Sequence, residues 1–154
     1  MSTNLGLDLR ERAGLSPELE AYVEPSTGTR LSYADLNRLC NRCASVLVGL
    51  ELKAGDRVAL LMQNSVEFVG LFYAAAKLGL VVVPLNTRLA AAELAFILAD
   101  SGARVLFYGP ECAETTAGIR ANQEHELALE HSIQSHPPAE LADSLNALLE
   151  RAAD

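Results

Sequence analysis

The sequence has little positive charge and no cluster of it. Its 154 residues include 12 Lys and Arg against 20 Asp and Glu, so the formal net charge is −8 at pH 7. Phosphate backbones are bound by grouped Lys and Arg side chains, and the basic residues here stand mostly singly among acids. This pattern argues against a nucleic-acid-binding protein. Half of the residues are hydrophobic and 21% are charged, which is typical of a globular domain with a sizeable core.

The sequence also lacks a long uninterrupted apolar run. Its most apolar stretch, residues 69–85, contains Lys77 and Gly79 and closes near Pro84. A buried helix followed by a buried strand explains that pattern better than a membrane span of about 20 apolar residues. Residues 1–14 mix acids and bases with leucines, which argues against a secretory signal. We therefore expect a cytoplasmic protein without a membrane span.

Cysteine is scarce, and its number is odd. Three cysteines without an export signal indicate reduced thiols rather than a disulfide framework. Cys40 and Cys43 form a C-x-x-C pattern, but they fall in the apolar stripe of a predicted helix. That position favours two small core-facing side chains over a redox pair or a zinc site. We predict no metal site and no catalytic residue, because the histidines lack a Ser or Cys framework for nucleophilic catalysis.

Turn residues and apolar spacing predict how the chain begins. Two strand-like pieces, residues 20–24 and 30–33, flank a turn-rich Pro-Ser-Thr-Gly sequence and indicate a hairpin. Ser32 and Asp35 then have the form of a capping box. Apolar residues recur at spacings of three and four from there, so an amphipathic helix is expected over residues 33–50.

Strand and helix patterns alternate in the middle of the chain. Asn64 with Glu67 marks a predicted helix start, and Gly79 and Gly102 mark helix ends. This alternation predicts an α/β fold: a partial doubly wound parallel sheet with flanking helices and a short N-terminal hairpin. The predicted strands are 58–62, 80–83 and 104–108, and the predicted helices between them are 64–79 and 90–100.

The pattern weakens after residue 110. Residues 111–121 have a weak helical pattern and residues 127–133 a weak strand pattern. A linker-like His-Pro-Pro break precedes an amphipathic helix predicted over residues 139–152. We therefore divide the chain into residues 1–110, one part of a domain, and residues 111–154, a less defined helical tail.

Five segments, in the same order and spacing, resemble the adenylate-forming acyl-CoA ligases. The resemblance covers most of residues 8–108 and is to the N-terminal subdomain of the ligase fold. It implies a two-step reaction in a complete relative: a carboxylic acid and ATP, with Mg²⁺, give an acyl-adenylate and pyrophosphate, and coenzyme A then displaces AMP. The segments are Leu31-Ser32-Tyr33-Ala34-Asp35-Leu36; Lys53-Ala54-Gly55-Asp56-Arg57-Val58-Ala59; Asn64-Ser65, Glu67-Phe68 and Ala76-Lys77-Leu78-Gly79; Val83-Pro84-Leu85-Asn86-Thr87-Arg88-Leu89; and Glu93-Leu94 with Asp100-Ser101-Gly102-Ala103.

The catalytic motifs of that family do not occur in these 154 residues. The sequence has no glycine- and Ser/Thr-rich phosphate loop with its lysine, the element that neutralises phosphate charge. We therefore expect a truncated N-terminal part of an ATP-dependent acyl-CoA synthetase, inactive alone and binding no ATP, Mg²⁺ or coenzyme A by itself. One alternative is a non-catalytic α/β interaction module that pairs with a separately encoded remainder. Another is a small flavodoxin-like ligand binder.

Possible partners follow from the same resemblance. Sheet edges that the rest of a ligase would cover could associate when left exposed. We therefore expect either the missing C-terminal portion of the ligase or a second copy of this chain as the partner.

The resemblance also indicates the candidate ligand contacts. In some relatives the arginine of the N-x-R segment, Arg88 here, lies near the 3′-phosphate of coenzyme A. The alternative is a solvated loop arginine with a local acid partner. Arg104 is a weaker candidate for the same groove. Asn86 is expected to fix its own turn. One departure from the family is Ala90, where relatives usually carry Thr or Ser as a helix cap.

Overall fold

The computed structural model describes residues 4–135, and within them the chain forms a hairpin and a parallel sheet. The hairpin strands pair antiparallel, and the sheet strands pair parallel with one another. The strands are Glu20–Glu24 (β1), Thr29–Ser32 (β2), Arg57–Leu61 (β3), Val81–Pro84 (β4), Val105–Tyr108 (β5) and His131–Gln134 (β6).

The parallel strands lie in the order β4-β3-β5-β6. From β3 the chain moves outward to β4, then returns past β3 to form β5 and β6. The direction of winding therefore reverses between β3 and β5, which makes this a doubly wound sheet. The predicted fold class is confirmed, including the N-terminal hairpin.

Helices cover both faces of the sheet. One core contains Leu47 of the second helix, Leu71 of the third and Phe107 of β5. The other contains Leu94 and Ile119 with residues of the opposite strand faces. The helices are Leu5–Leu15 (α1), Tyr33–Gly49 (α2), Val66–Leu78 (α3), Ala91–Ser101 (α4) and Ala113–Ala121 (α5), with a 3₁₀ turn at Pro110–Cys112 before α5.

Helix α2 begins at Tyr33, as its sequence predicts, and ends at Gly49, one residue before the predicted end. The Ser32 hydroxyl accepts from the Asp35 amide, and the Asp35 carboxylate accepts from the Ser32 amide, so the capping box is confirmed. Helix α3 begins at Val66, two residues after the start of the predicted range. Its cap is Ser65, whose hydroxyl accepts from the amide of Phe68, and Asn64 precedes the helix.

The apolar stretch around α3 is a helix followed by a strand, as predicted. Gly79 ends α3 in a left-handed conformation with φ 69°, which an L side chain would adopt only with strain. β4 follows at once. Of the helices in residues 4–135, none is long and apolar enough to cross a membrane.

Helix α1 was not predicted from the sequence. The Asn4 side chain caps it by accepting from the amides of Gly6 and Leu7. Gly6 packs against the backbone and side chain of Lys77, and a Cβ at that position would collide with both. Lys77 in turn donates to the side-chain oxygens of Asn37 and Asn41, which joins α3 to α2.

The segment after residue 110 continues the same sheet. β6 pairs in parallel with β5 from His131 to Gln134, so the predicted weak strand is real but shorter and shifted toward the C-terminus. The segment predicted as a helical tail therefore contributes both a helix and the fourth strand of the sheet. The predicted linker and the helix over residues 139–152 lie outside the described residues.

The edge strand β4 offers few main-chain groups to another strand. The amides of Val81 and Leu85 donate toward β3, so by alternation position 84 faces outward. Pro84 occupies that position and has no amide proton. Residues of this kind protect edges against pairing with other chains, which weighs against self-association through β4.

Cys40 and Cys43 lie in the core, fully buried and without a disulfide. Burial raises the pKa of the Cys40 thiol to about 11 and that of Cys43 to about 12. Both thiols therefore stay protonated at neutral pH, as expected of small core side chains rather than reactive groups.

These raised pKa values predict a loss of stability in alkaline solution. An unfolded thiol ionises near pH 9, whereas the folded thiols resist ionisation to about pH 11 and 12. The stabilising contribution is thus complete below pH 9 and decreases as the pH rises, by about 1 kcal/mol per thiol at pH 10. The free energy of unfolding in urea, determined at pH 8, 9 and 10, measures this loss of stability.

The control for this experiment is the double variant Cys40→Ala/Cys43→Ala. Its free energy of unfolding should fall less steeply over the same pH range. The pKa of Lys77 is lowered, mainly by burial, so its own contribution to stability changes in the opposite direction with pH. Parallel pH curves for the two proteins would contradict the account of the thiols.

Ala90 leaves α4 without a side-chain cap, which gives a stability prediction. Ala90 has the extended conformation of an N-cap residue, and only the Glu93 carboxylate compensates, by accepting from the Ala90 amide at 2.9 Å. Ala90→Ser should therefore raise the free energy of unfolding by about 1 kcal/mol. Ala117→Ser, at an exposed position inside α5, is the control and should lower it by a few tenths. Equal effects of the two substitutions would argue against a missing cap.

Candidate functional site

The carboxyl ends of the parallel strands meet at one edge of the sheet, which we call the carboxyl edge. Ligands of doubly wound folds bind outside this edge, near the point where the strand order reverses. That point lies between β3 and β5. Two hollows open at the carboxyl edge. One is a crevice of about 210 Å³ at the reversal point, and the other is a groove of about 460 Å³ between the ends of β3 and β4.

Arg88 lies in the loop between β4 and α4, beside the groove. Asn86 shapes this loop: its side-chain oxygen accepts from the amide of Arg88 at 3.0 Å, and its carbonyl accepts from the amide of Leu89 at 3.2 Å. The turn predicted for Asn86 is therefore present. Arg88 is exposed, and its guanidinium has no acidic partner among residues 4–135.

Arg104 lies at the opposite edge of the sheet, because it precedes β5 rather than following a strand. Its guanidinium donates to both oxygens of Glu130, at 2.8 and 2.7 Å, and to Asp56 at 2.5 Å. These contacts join the turn before β3 to the loop before β6. The structure thus does not bring Arg104 together with Arg88 in one groove.

The ion pairs of Arg104 change the acidity of their partners. The pKa of Asp56 is lowered, first by the hydrogen bond that it accepts from the Lys53 amide and then by Arg104. The pKa of Glu130 is lowered mainly by its hydrogen bonds with Arg104. All the contacts of the Arg104 guanidinium are within the fold, as expected of a structural residue.

The crevice at the reversal point is acidic. It lies between the loop that follows β3, the loop that follows β5, and the turn of the hairpin. Three of its lining residues are carboxylates, Glu24, Glu67 and Glu111, and no Lys or Arg lines it. A phosphate group would be repelled there.

The groove between the ends of β3 and β4 is uncharged. Its walls carry the uncharged side chains of Gln63 and Asn64 on one side and Asn86 and Thr87 on the other, and none of its lining residues is acidic. Arg88 follows Thr87 directly. A negatively charged group therefore fits the groove better than the crevice. Sequence reasoning located Arg88 but did not identify Gln63 and Asn64.

The described residues contain no group of three or more His, Cys, Asp or Glu side chains that could hold a metal ion. The crevice, at the usual position for a nucleotide, presents carboxylates where a triphosphate needs cationic and amide donors. The groove has no charged lining residue, whereas a triphosphate needs several cationic partners.

Comparison with known proteins identifies the family. The family model described as AMP-binding enzyme matches residues 9–152. The chain belongs to this family. Among curated members, the long-chain-fatty-acid–CoA ligase FadD13 of Mycobacterium tuberculosis is 54% identical over 144 residues, which are 94% of this chain and 26% of that protein.

Two other comparisons extend this likeness. Feruloyl-CoA synthase of Amycolatopsis is 43% identical over 112 residues, 73% of this chain and 22% of that protein. The solved structure of a Mycobacterium tuberculosis fatty acyl-CoA synthetase is 53% identical and superposes with a TM-score of 0.87, covering 96% of this chain and 28% of that one. The resemblance to acyl-CoA ligases is confirmed, and the chain spans about a quarter of the length of these relatives.

Proposed function

We propose that these residues form the N-terminal part of an ATP-dependent acyl-CoA ligase, which converts a carboxylic acid, ATP and coenzyme A into acyl-CoA, AMP and pyrophosphate. The 154 residues contribute the scaffold and one wall of the coenzyme site, and they do not adenylate an acid by themselves. The partner is the remainder of such a ligase. The location is the cytoplasm, in keeping with three reduced and buried cysteines.

The observation that carries this proposal is the continuous match to the N-terminal quarter of acyl-CoA ligases. The match extends from residue 9 to residue 152 and holds in both sequence and fold. The absence of a glycine-rich phosphate loop from the 154 residues and the acidic crevice support the inactivity of this part alone. The acid is not specified, since the similar proteins are named for fatty acids and for ferulic acid.

Arg88 is the proposed coenzyme contact. It lies at the carboxyl edge, has no acidic partner among residues 4–135, and follows Thr87, which lines an uncharged groove. A guanidinium in that position can bind a phosphate monoester through two parallel hydrogen bonds. The 3′-phosphate of coenzyme A is such a group.

An exchange assay tests the proposed inactivity. The purified chain should give no acid-dependent exchange between ATP and labelled pyrophosphate, because exchange requires an adenylation site. FadD13 from Mycobacterium tuberculosis, assayed with a long-chain fatty acid under the same conditions, is the positive control. Exchange by the chain well above a blank without acid would overturn this part of the proposal.

A further inference from the structure

The groove beside Arg88 has a second wall, and one acidic residue holds it in place. This wall is the loop after β3, with Gln63 and Asn64, and it faces Asn86 and Thr87 across the groove. Neither wall carries a carboxylate. The uncharged side chains can donate amide and hydroxyl protons, and such donors bind the non-bridging oxygens of a phosphate.

The loop after β3 is fixed by a contact from a distant part of the chain. Glu111, in the 3₁₀ turn after β5, accepts from the main-chain amide of Gln63 at 3.0 Å. The two residues are 48 positions apart. The strand ladder continues beneath this contact, where the Gly109 amide donates to the Leu61 carbonyl at 2.9 Å. A side chain at position 109 would displace the Glu111 carboxylate, so Gly109 leaves room for its contact with Gln63.

The Glu111 contact and the groove share the same residues. Gln63 and Asn64 line both the crevice, on the Glu111 side, and the groove, on the Arg88 side. Movement of this loop would therefore change the width of the groove. The acidic crevice behind it also disfavours an anion, so a phosphate should stay on the Arg88 side.

We propose that Gln63 and Asn64, which line the groove formed by residues 62–64 and 85–87, form a second wall of the coenzyme phosphate subsite proposed for Arg88, and that Glu111 is the positioning residue for that wall. This inference rests on the proposed coenzyme contact of Arg88. Glu111 acts through the Gln63 amide and does not touch the phosphate.

The test is a titration of the ¹⁵N-labelled chain with adenosine 3′,5′-bisphosphate up to millimolar concentration, followed by NMR, because a chain that holds only one part of the coenzyme site should bind this fragment weakly. Changes in the amide chemical shifts are expected at residues 63–64 and 86–88. Glu111→Ala and Glu111→Gln both remove the negative charge, but only glutamine keeps an oxygen that can accept from Gln63. Glu111→Ala should therefore bind about fivefold more weakly than Glu111→Gln, the size of one ordinary hydrogen bond.

Two further measurements separate positioning from general destabilisation. Hydrogen exchange of the Gln63 amide should become faster in Glu111→Ala and stay slow in Glu111→Gln. Glu114→Ala, an exposed acidic residue of α5, is the matched control and should bind like the wild type. If Glu111→Ala does not fold, Asn64→Ala tests the same wall and should weaken binding about threefold.

The outcomes distinguish this inference from the proposed function. Arg88→Ala should abolish the shifts at residues 86–88, and unchanged binding in that variant would refute the coenzyme contact itself. If Arg88→Ala loses binding while Glu111→Ala and Glu111→Gln bind equally well, the coenzyme contact stands and the positioning role of Glu111 is refuted. Shifts confined to residues 86–88, with none at residues 63–64, would refute the second wall.

Discussion

Replacing Arg88 with alanine should raise the KM for coenzyme A about tenfold in a hybrid ligase. In this hybrid, residues 9–152 of the chain replace the matching part of FadD13. A charge-assisted hydrogen bond to a phosphate contributes roughly 1.5–3 kcal/mol, and tenfold corresponds to about 1.4 kcal/mol. Steady-state kinetics with coenzyme A as the varied substrate measure the change.

Measuring the two half-reactions separately distinguishes the loss of a coenzyme contact from a general loss of activity. ATP–pyrophosphate exchange proceeds without coenzyme A, so the exchange rate of the Arg88→Ala hybrid should stay within about twofold of the parent hybrid. Arg30→Ala is the control, because Arg30 is an exposed residue of the hairpin paired with Glu20. Arg30→Ala should change neither the KM for coenzyme A nor the exchange rate. An unchanged KM for coenzyme A in Arg88→Ala would show that Arg88 is only a solvated loop residue.

Replacing Phe107 with alanine should lower the free energy of unfolding by about 4 kcal/mol, enough to unfold much of a marginally stable domain. Phe107 lies in β5, one of the two inner strands of the sheet, and is fully buried. Its ring packs in the core shared with α2 and α3. The substitution removes a large apolar side chain and leaves a cavity that the surrounding strands cannot fill. Urea unfolding of the purified chain measures the loss.

Phe96 provides the matched control for that experiment. It has the same side chain and lies on α4, but it is 56% exposed and its ring contacts only that of His125 among the described aromatic rings. Phe96→Ala should lower the stability by less than about 1 kcal/mol. If the two alanine variants lose equal stability, the sheet does not have the core described above.

Local signals predicted most of the fold. Helix α2 follows from the Ser32–Asp35 capping box and its apolar spacing, both of which act within a few residues. Helix α1 was missed because its sequence has little apolar periodicity and its position depends on the packing of Gly6 against Lys77. β6 was misplaced because His131, Ser132 and Gln134 are polar. They form a strand through pairing with β5, and no local sequence pattern predicts that pairing.

The candidate site was predicted in part. Arg88 is a candidate because it matches the arginine of the family's N-x-R segment, and its position after a strand of a parallel sheet, at the carboxyl edge, suits an anion there. The same rule puts Arg104, which precedes a strand, at the other edge, so this signal was available in the sequence. The contact between Glu111 and Gln63 could not be predicted, since it depends on how β3 and β5 are aligned in the sheet.

Formation of acyl-CoA by the hybrid ligase tests the central claim most directly. If residues 9–152 are the N-terminal scaffold of an acyl-CoA ligase, they should replace the matching part of FadD13. The folded hybrid should then form acyl-CoA from a long-chain fatty acid at a rate within about tenfold of the parent enzyme, whereas the chain alone should form none. A hybrid that folds cooperatively but forms no acyl-CoA, or a chain that forms acyl-CoA unaided, would contradict the claim.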